Sequence, residues 1–290
     1  MMLKILATPS KTSPEKMALL NKTLLKPFVC PNLVRVGAPN DGGYVVPGDH
    51  LARGAYLVSL GLFDNWTFDA ACLVMNPSIR IIAVDHSVGP WWFVRKIIRC
   101  LWKIPAYLLL LDRARLRKYT SKLRNYINYF SFFTAPHLHL KKRVSNSGGA
   151  LDIRLAEIIE RHCPPTGAAT HDVVLKMDIE GGEYDTVADI NRYQSRISFI
   201  TGEFHDLDSR TAEFNRMMEE LSRYFRVVHI HGNNCGAYDH ANDFPSIVEI
   251  TFVNAALLAR DAGYSNFHYP RVGLDAPNEP TIPEYEIRFE

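Results

Sequence analysis

Apolar and polar positions along the chain follow two alternating periods. Short, continuous apolar runs rich in β-branched residues predict buried strands at residues 55–60, 80–84, 173–177, 197–203, 226–230 and 247–253. Between these runs, apolar residues recur at helical spacing and predict helices at residues 66–75, 151–163, 183–192 and 210–224. Strands that alternate with helices form a mostly parallel sheet with both faces covered.

One further strand and one connection complete the predicted sheet. Another strand is expected near residues 126–133, which brings the total to about seven strands. Residues 232–246 between the last two strands have no helical pattern, so those two strands should pair as an antiparallel hairpin at one edge. The sequence therefore predicts an α/β fold with a doubly wound, mostly parallel, Rossmann-like sheet.

The predicted sheet divides the chain into three parts. Residues 1–54 combine a leading helix at 13–28 with two extended segments around the turn at 39–43, a lid before the sheet. Residues 55–254 form the main domain, and residues 255–290 form a C-terminal extension.

The segment 91–124 exceeds the minimal plan and mixes basic with aromatic and aliphatic residues. It carries ten basic residues and one acidic residue, Asp112, for a net charge of +9. A helix of this kind can lie in an anionic membrane surface. Alternatively, its apolar face packs on the sheet while the charges stay solvated. The longest uncharged stretch, 104–111, is far shorter than the roughly 20 residues needed to span a bilayer.

Composition narrows the class of protein. A chain of 290 residues with 47% hydrophobic content can form one large domain, and its net charge of +2 gives no reason to expect a nucleic-acid partner. The five cysteines are widely spaced and form no CxxC pair, which argues against a disulfide framework or a zinc knuckle. Since the first residues also lack a secretory pattern, we expect a cytoplasmic protein, membrane-peripheral if 91–124 binds lipid.

Two sites at strand ends indicate a nucleoside-bearing cofactor. Gly61 follows the strand at 55–60 and allows backbone to approach a ligand. Asp85 ends the next strand about twenty residues later, where a carboxylate can hold both ribose hydroxyls. Methyltransferases and NAD enzymes share this geometry. The single glycine provides poor support for binding a pyrophosphate.

An acid and imidazole group is expected at neighbouring strand ends. Asp178 and Glu180 follow the strand at 173–177. Glu203 ends the strand at 197–203, His205 lies just after it, and His231 follows the strand at 226–230. Such a cluster can bind a divalent cation or provide a general base that removes a hydroxyl proton. We predict catalytic roles for the residues Asp178, His205 and His231. The predicted metal ligands are Asp178, Glu203 and His231.

At this point the chain resembles the FkbM-type methyltransferases. The resemblance rests on residues 35–46 (RVGAPNDGGYVV), 59–69 (SLGLFDNWTFD), 176–184 (KMDIEGGEY), 203–205 (EFH) and 231–234 (HGNN), in that order. It implies a class I methyltransferase fold, S-adenosylmethionine as methyl donor, and O-methylation of a sugar or glycan in polysaccharide or natural-product biosynthesis.

The resemblance also implies roles for individual residues. The loop after Gly61 would hold the donor's amino acid part, Asp85 its ribose, and Asp178 with its neighbours the floor of the site. Ser59 stands where class I enzymes often have an acid, so the donor's ammonium group needs another partner, such as Asp41, Asp64 or Asp69. The predicted donor-binding residues are Asp41, Gly42, Gly43, Gly61, Asp64, Asn65, Phe68, Asp85, His86, Asp178, Ile179 and Glu180.

Two other functions stay open on the sequence. The Gly61 and Asp85 pair is also compatible with a nucleotide-sugar or NAD-dependent Rossmann enzyme. A third hypothesis is a non-catalytic, membrane-associated scaffold that acts through residues 91–124. This hypothesis gives no role to the acidic residues at the strand ends.

Overall fold

The computed structural model describes residues 18–167 and 170–289. The strands are β1 (Leu33–Gly37), β2 (Gly43–Pro47), β3 (Tyr56–Leu60), β4 (Arg80–Val84), β5 (Leu138–Leu140), β6 (Arg143–Val144), β7 (Asp152–Ile153), β8 (Val173–Met177), β9 (Ile197–Phe204), β10 (Phe225–Gly232), β11 (Tyr238–Asp239), β12 (Phe244–Pro245) and β13 (Val248–Asn254). The helices are α1 (Gly48–Arg53), α2 (Thr67–Met75), α3 (Pro90–Leu109), α4 (Arg113–Phe132), α5 (Leu155–His162), α6 (Val187–Arg192) and α7 (Thr211–Leu221). Short 3-10 helices lie at Lys22–Leu25, Glu183–Thr186 and Ala255–Leu257.

The main sheet has seven strands in the order β10-β13-β9-β8-β3-β4-β5. Its strands pair in parallel from β9 to β5, whereas β13 runs antiparallel to both β9 and β10. This confirms the predicted doubly wound α/β sheet with an antiparallel hairpin at one edge. The chain enters at β3 and extends the sheet first to one side and then to the other. Open α/β sheets bind ligands at this switch point, outside the carboxyl ends of the strands.

The central strands are apolar because helices or the β1–β2 hairpin cover both faces of the sheet. Every residue of β3, β8 and β9 is buried. On one face they pack with α5, α6 and α7 through residues such as Ile158 and Phe214. On the other face they pack with α1, α2 and the β1–β2 hairpin through residues such as Leu51 and Phe68. Continuous apolar runs are what strands buried on two faces require.

The predicted strand near residues 126–133 is wrong. These residues lie mainly in α4, and the edge strand is β5, which pairs in parallel with β4. Tyr126, Tyr129 and Phe133 have high strand propensity, but they recur three and four residues apart. That spacing places them on one helical face, where Tyr126 and Tyr129 are buried in a cluster with Trp66. Helical spacing therefore outweighed residue propensity.

Two predicted helices are clearly shorter at their N-terminal ends than predicted. Residues 13–17 of the predicted leading helix lie outside the described residues, and in the described remainder of 13–28 the only helical turn is the 3-10 helix Lys22–Leu25. The helix predicted at 151–163 begins later, at Leu155, because Asp152 and Ile153 pair with β6 instead.

The basic segment forms an antiparallel pair of helices, α3 and α4, which we call the helical hairpin. Its base is buried against the domain through Phe93, Cys100, Tyr126 and Tyr129, which belong to the same apolar cluster as Trp66. The apolar side chains at the base of the hairpin therefore pack against the domain, whereas those of its outer half are exposed. Within residues 18–167 and 170–289, no helix has the length and apolar character to cross a bilayer.

Candidate functional site

A cavity of about 930 Å³ opens at the carboxyl ends of β3, β4 and β8. It occupies the switch point of the sheet, between the two directions in which the strands are added. Eleven of the predicted donor-binding residues line it: Asp41, Gly42, Gly61, Asp64, Asn65, Phe68, Asp85, His86, Asp178, Ile179 and Glu180. The cavity therefore brings together predicted donor-binding residues that are up to 139 positions apart in the sequence, from Asp41 to Glu180.

Gly43 is the predicted donor-binding residue that lies outside this lining. It begins β2 opposite Gly37, and a Cβ there would collide with the carbonyl oxygen of Ala38. The glycine is thus explained by the tight β1–β2 turn and gives no evidence of a ligand contact.

Gly61 follows β3 and lies against the backbone of Asp178, just beyond β8. Its φ is +82°, and a Cβ at this position would overlap the carbonyl oxygen of Asp178. Its carbonyl oxygen accepts a hydrogen bond of 2.6 Å from Lys176 Nζ. Only glycine combines this backbone conformation with this close approach, so the residue shapes the floor of the cavity.

Asp85 reaches the cavity, but its carboxylate is already engaged. Oδ2 accepts from the backbone N–H groups of Leu62 and Phe63 at 2.9 and 2.7 Å. Oδ1 accepts from the backbone N–H and hydroxyl of Ser87, both at 2.6 Å. Burial raises the pKa of Asp85, but these hydrogen bonds outweigh it and hold the pKa below its ordinary value. A carboxylate offers about four acceptor positions, and these four hydrogen bonds occupy them. Asp85 therefore fixes the turn after β3.

Three side chains form an acid and imidazole cluster beside the cavity. Ligand atoms of Asp178, Glu203 and His205 all lie within 4.8 Å of one another. Asp178 and Glu203 are neighbours because Met177 on β8 pairs with Gly202 on β9. His205 lies just beyond β9, with Nδ1 3.4 Å from Oε1 of Glu183 and Nε2 3.7 Å from Oε2 of Glu180. Asp178 and Glu203 line the cavity, whereas His205 is not part of its lining.

The cluster carries more negative charge than its protein partners balance. Burial, with the charges of Asp178 and Glu249, raises the pKa of Glu203 to about 8, although Asn233 donates a hydrogen bond to it. Burial lowers the pKa of His205, but the neighbouring carboxylates of Glu183 and Glu203 raise it to about 9. The group therefore holds protons at neutral pH, and a cation could replace them.

His231 lies elsewhere, so the prediction that it joins this cluster is wrong. It is not part of the cavity lining or of the three-residue cluster. Its Nδ1 lies 3.2 Å from Oε2 of Glu249, and its Nε2 lies 3.0 Å from Oε1 of Glu284. The strand β13 lies between β10 and β9 and separates His231 from Glu203. His229, on the same strand, is also buried, with its Nε2 2.7 Å from Oδ1 of Asp275.

Four site residues escaped the sequence reasoning. Tyr44 donates a 3.3 Å hydrogen bond to Asp178, and the Nζ atom of Lys176 lies 3.4 Å from the same carboxylate. Asn278 donates to Glu249 at 2.7 Å, which brings the C-terminal extension to the edge of the site. Lys176 and Glu249 had a usable signal, since each is a charged residue within a strand that is otherwise almost entirely apolar or β-branched.

Among the candidates for an ammonium partner, Asp69 has the most distinctive surroundings. It lies in the first turn of α2, lines the cavity, and is 2% exposed. Burial raises the pKa of Asp69, while Lys176 and Ser59 oppose the shift. Asp64 instead accepts a 3.1 Å hydrogen bond from Tyr126. Asp69 therefore places an acid beside the Ser59 position.

Comparisons with known proteins give only distant structural similarities. No protein-family model matches the chain, and no curated protein matches it. An rRNA methylase from Streptococcus thermophilus is 9% identical, with a TM-score of 0.36 over 71% of this chain and 93% of that one. A precorrin-6y C5,15-methyltransferase from Geobacter metallireducens is 13% identical, with a TM-score of 0.33 over 71% and 85%.

A third solved structure is a tRNA (uracil-54, C5)-methyltransferase from Pyrococcus abyssi in complex with S-adenosyl-L-homocysteine. It is 11% identical, with a TM-score of 0.33 over 77% of this chain and 44% of that one. Because these TM-scores are low, the fold assignment rests on the strand order of the chain itself.

Proposed function

We propose that this protein is an S-adenosylmethionine-dependent O-methyltransferase that methylates a hydroxyl of a sugar, a polysaccharide or a natural-product intermediate. The observation that carries the proposal is one cavity at the switch point, lined by the glycine turn, the β4 carboxylate and the acidic end of β8. The FkbM-type motifs supply the choice of a sugar or glycan acceptor.

The residues of the cavity fit a nucleoside and amino acid donor. A volume of about 930 Å³ lies within the range of small-molecule and cofactor sites. Asp69 offers a carboxylate for the donor's ammonium group. Since the oxygens of Asp85 are engaged, it would act through the turn it holds, and His86, which lines the cavity, is our candidate for ribose contacts. When bound, the donor supplies a methyl group activated by a sulfonium.

The acid and imidazole cluster is suited to accept the proton of the acceptor hydroxyl. Asp178 is the member with an exposed carboxylate, 29% accessible, and it faces the cavity. Tyr44 and Lys176 contact that carboxylate, and ligand atoms of Glu203 and His205 lie within 4.8 Å of it. Catalysis by this chain would therefore consist of alignment and proton removal, as direct displacement at a methyl group requires.

A divalent cation fits the same cluster. Asp178, Glu203 and His205 present two carboxylates and one imidazole at mutual distances that a single ion can bridge, and their negative charge is incompletely balanced. Bound there, a cation would lower the pKa of an acceptor hydroxyl. Mixed carboxylate and imidazole ligands suit first-row transition metals such as Mn²⁺.

The acceptor site is expected to be polar. Besides the acids, the cavity lining includes Lys142, Arg143, Ser145 and Ser147 from the segment around β6. These side chains make the lining of the cavity more polar, which suits an acceptor rich in hydroxyl groups.

Calorimetric titration of the purified protein with S-adenosylmethionine and with NAD tests the donor assignment. We expect binding of S-adenosylmethionine, weakened at least about tenfold by Asp69→Asn through the loss of a buried charged contact. Binding of NAD without S-adenosylmethionine would favour the dinucleotide-dependent alternative. Asp189→Asn, at a buried acid outside the cavity, is the matched control.

Methyl transfer from labelled donor to a panel of glycans tests the acceptor and the cluster. Asp178→Asn and His205→Gln are expected to lower turnover by about a hundredfold or more, the usual contribution of a positioned acid or base. His240→Gln, at an exposed histidine, should leave it unchanged. Full turnover in both cluster variants would end the assignment, and chelation followed by Mn²⁺ or Mg²⁺ addition decides the cation requirement.

A further inference from the structure

The end of the helical hairpin exposes four consecutive leucines. Leu108, Leu109, Leu110 and Leu111 are 59, 85, 71 and 83% exposed where α3 ends and the chain turns toward α4. We call these four residues the leucine tip. Isolated exposed leucines are ordinary on protein surfaces, but a contiguous apolar patch marks a binding surface.

An apolar stripe extends from the leucine tip along the outer side of α3. Ile98, Trp102 and Leu109 recur at intervals of four and seven residues, and Trp102 is 80% exposed. The opposite side of the same helix carries Phe93 and Cys100, which are buried in the base of the hairpin. The helix is therefore apolar on two sides, and the inner side alone is explained by the fold.

Basic side chains follow the leucine tip at the start of α4. Exposed Arg113, Arg115, Arg117 and Lys118 lie in the first turns of α4, directly after the leucine tip. Asp112 is the single acid of the segment 91–124, and its carboxylate caps α4 by accepting from the backbone N–H of Arg115. The outer half of the hairpin is therefore apolar at its tip and positively charged behind it.

We propose that the outer half of the helical hairpin docks on an anionic lipid bilayer. The leucine tip and Trp102 would enter the boundary between headgroups and acyl chains, while the arginines and Lys118 contact anionic headgroups. The charge distribution favours this occupant over others. A second copy of the hairpin would bring two segments of +9 together, and a nucleic acid would leave the leucines without an apolar partner.

The base of the hairpin connects this surface to the cavity. Asn125 donates a 2.8 Å hydrogen bond to the carbonyl oxygen of Asp64, and Tyr126 donates to its carboxylate. Trp92 packs against Phe63 with ring centroids 5.7 Å apart. Both Phe63 and Asp64 line the cavity, so docking of the hairpin would fix the cavity mouth relative to the membrane.

Co-sedimentation with lipid vesicles tests the proposal. The full-length protein is expected to bind phosphatidylcholine vesicles that contain phosphatidylserine, and to bind those of phosphatidylcholine alone far more weakly. Leu109→Asp combined with Leu111→Asp should weaken binding at least about tenfold. Arg113→Gln combined with Arg117→Gln should weaken it roughly fivefold for each charge removed, and added salt should weaken it further.

Matched controls alter equally exposed residues elsewhere. Val272→Asp introduces an acid at a fully exposed valine, and Arg260→Gln removes an exposed charge far from the hairpin in sequence. Both should bind vesicles as the unaltered protein does, and all variants should share its thermal unfolding midpoint. Trp102 gives a second measurement, because its fluorescence should shift to shorter wavelength with anionic vesicles, and Trp102→Phe should remove that shift.

Three results would overturn the proposal: equal binding to both kinds of vesicle, unchanged binding of the leucine variant, or no vesicle binding together with tight binding of RNA. The third would assign the basic surface to a nucleic acid instead. Vesicle binding is measured without methyl transfer. A negative result would therefore reject membrane docking and leave the proposed function unaffected.

Discussion

His231 offers a quantitative test of how the C-terminal extension is held to the sheet. Its imidazole is 1% exposed and lies between Glu249 on β13 and Glu284 in the extension. The substitution His231→Gln removes the charge of this bridge while keeping one hydrogen-bond donor. If His231 is structural, the substitution should change the free energy of unfolding more than the rate of methyl transfer.

The magnitude follows from the surroundings of the ring. Burial lowers the pKa of His231, but Glu249, the charge of Asp275 and the contact with Glu284 raise the pKa from 6.5 to about 9. A rise of this size corresponds to about 3 kcal/mol. Because the folded protein favours the protonated ring, this stabilisation is fully present below pH 6.5 and is lost as the pH rises through about 9.

Urea unfolding at two pH values measures this contribution. At about pH 6, His231→Gln should lower the free energy of unfolding by about 3 kcal/mol, and by about pH 10 most of this difference should disappear. The pKa of His205 is also raised to about 9. The free energy of unfolding of the variant is therefore compared with that of the unaltered protein at each pH. His240→Gln, at an exposed histidine, is the control and should change neither value.

Two outcomes would refute the reasoning. A loss of stability that is equal at both pH values would show that the charge of His231 contributes nothing and that packing alone is lost. A variant with unchanged stability but no methyl transfer would instead restore the catalytic role that the sequence predicted for His231.

Other predictions concern the cavity. Gly61→Ala should abolish folding or cost at least about 3 kcal/mol by thermal denaturation, because a Cβ overlaps the carbonyl oxygen of Asp178; Gly148→Ala, where a Cβ meets nothing, tests positive φ alone. Asp85→Asn should cost about 1–3 kcal/mol in urea unfolding, since an amide cannot accept all four hydrogen bonds; an unchanged midpoint would contradict the clamp. At pH values above 8, Glu203→Gln should raise the urea unfolding midpoint relative to the unaltered protein. Burial raises the pKa of Glu203 to about 8, so the buried carboxyl ionises and destabilises the fold as the pH rises through that value. The same variant should weaken Mn²⁺ binding, and unchanged affinity by calorimetry would exclude Glu203 as a ligand.

The strands were predictable because the signal that defines them is local. A strand covered on both faces must be apolar at nearly every position, and β8 and β9 meet this condition throughout. The carboxyl ends of parallel strands lie at one edge, so the meeting of Gly61, Asp85 and Asp178 followed from the α/β pattern alone. The helical hairpin was harder, because the aromatic residues of α4 have strand propensity, and only their spacing indicates a helix.

The sequence by itself therefore determined the class of fold and which segments reach the edge where the cavity opens. The tertiary structure decided which of those side chains meet. The position of β13 between β9 and β10 moves His231 two strands, or about 10 Å, away from Glu203. The tertiary structure also decided that the carboxylate oxygens of Asp85 accept hydrogen bonds from the neighbouring turn. Both outcomes depend on strand order and on contacts between distant segments, and hydrophobic periodicity within one segment contains no information about either.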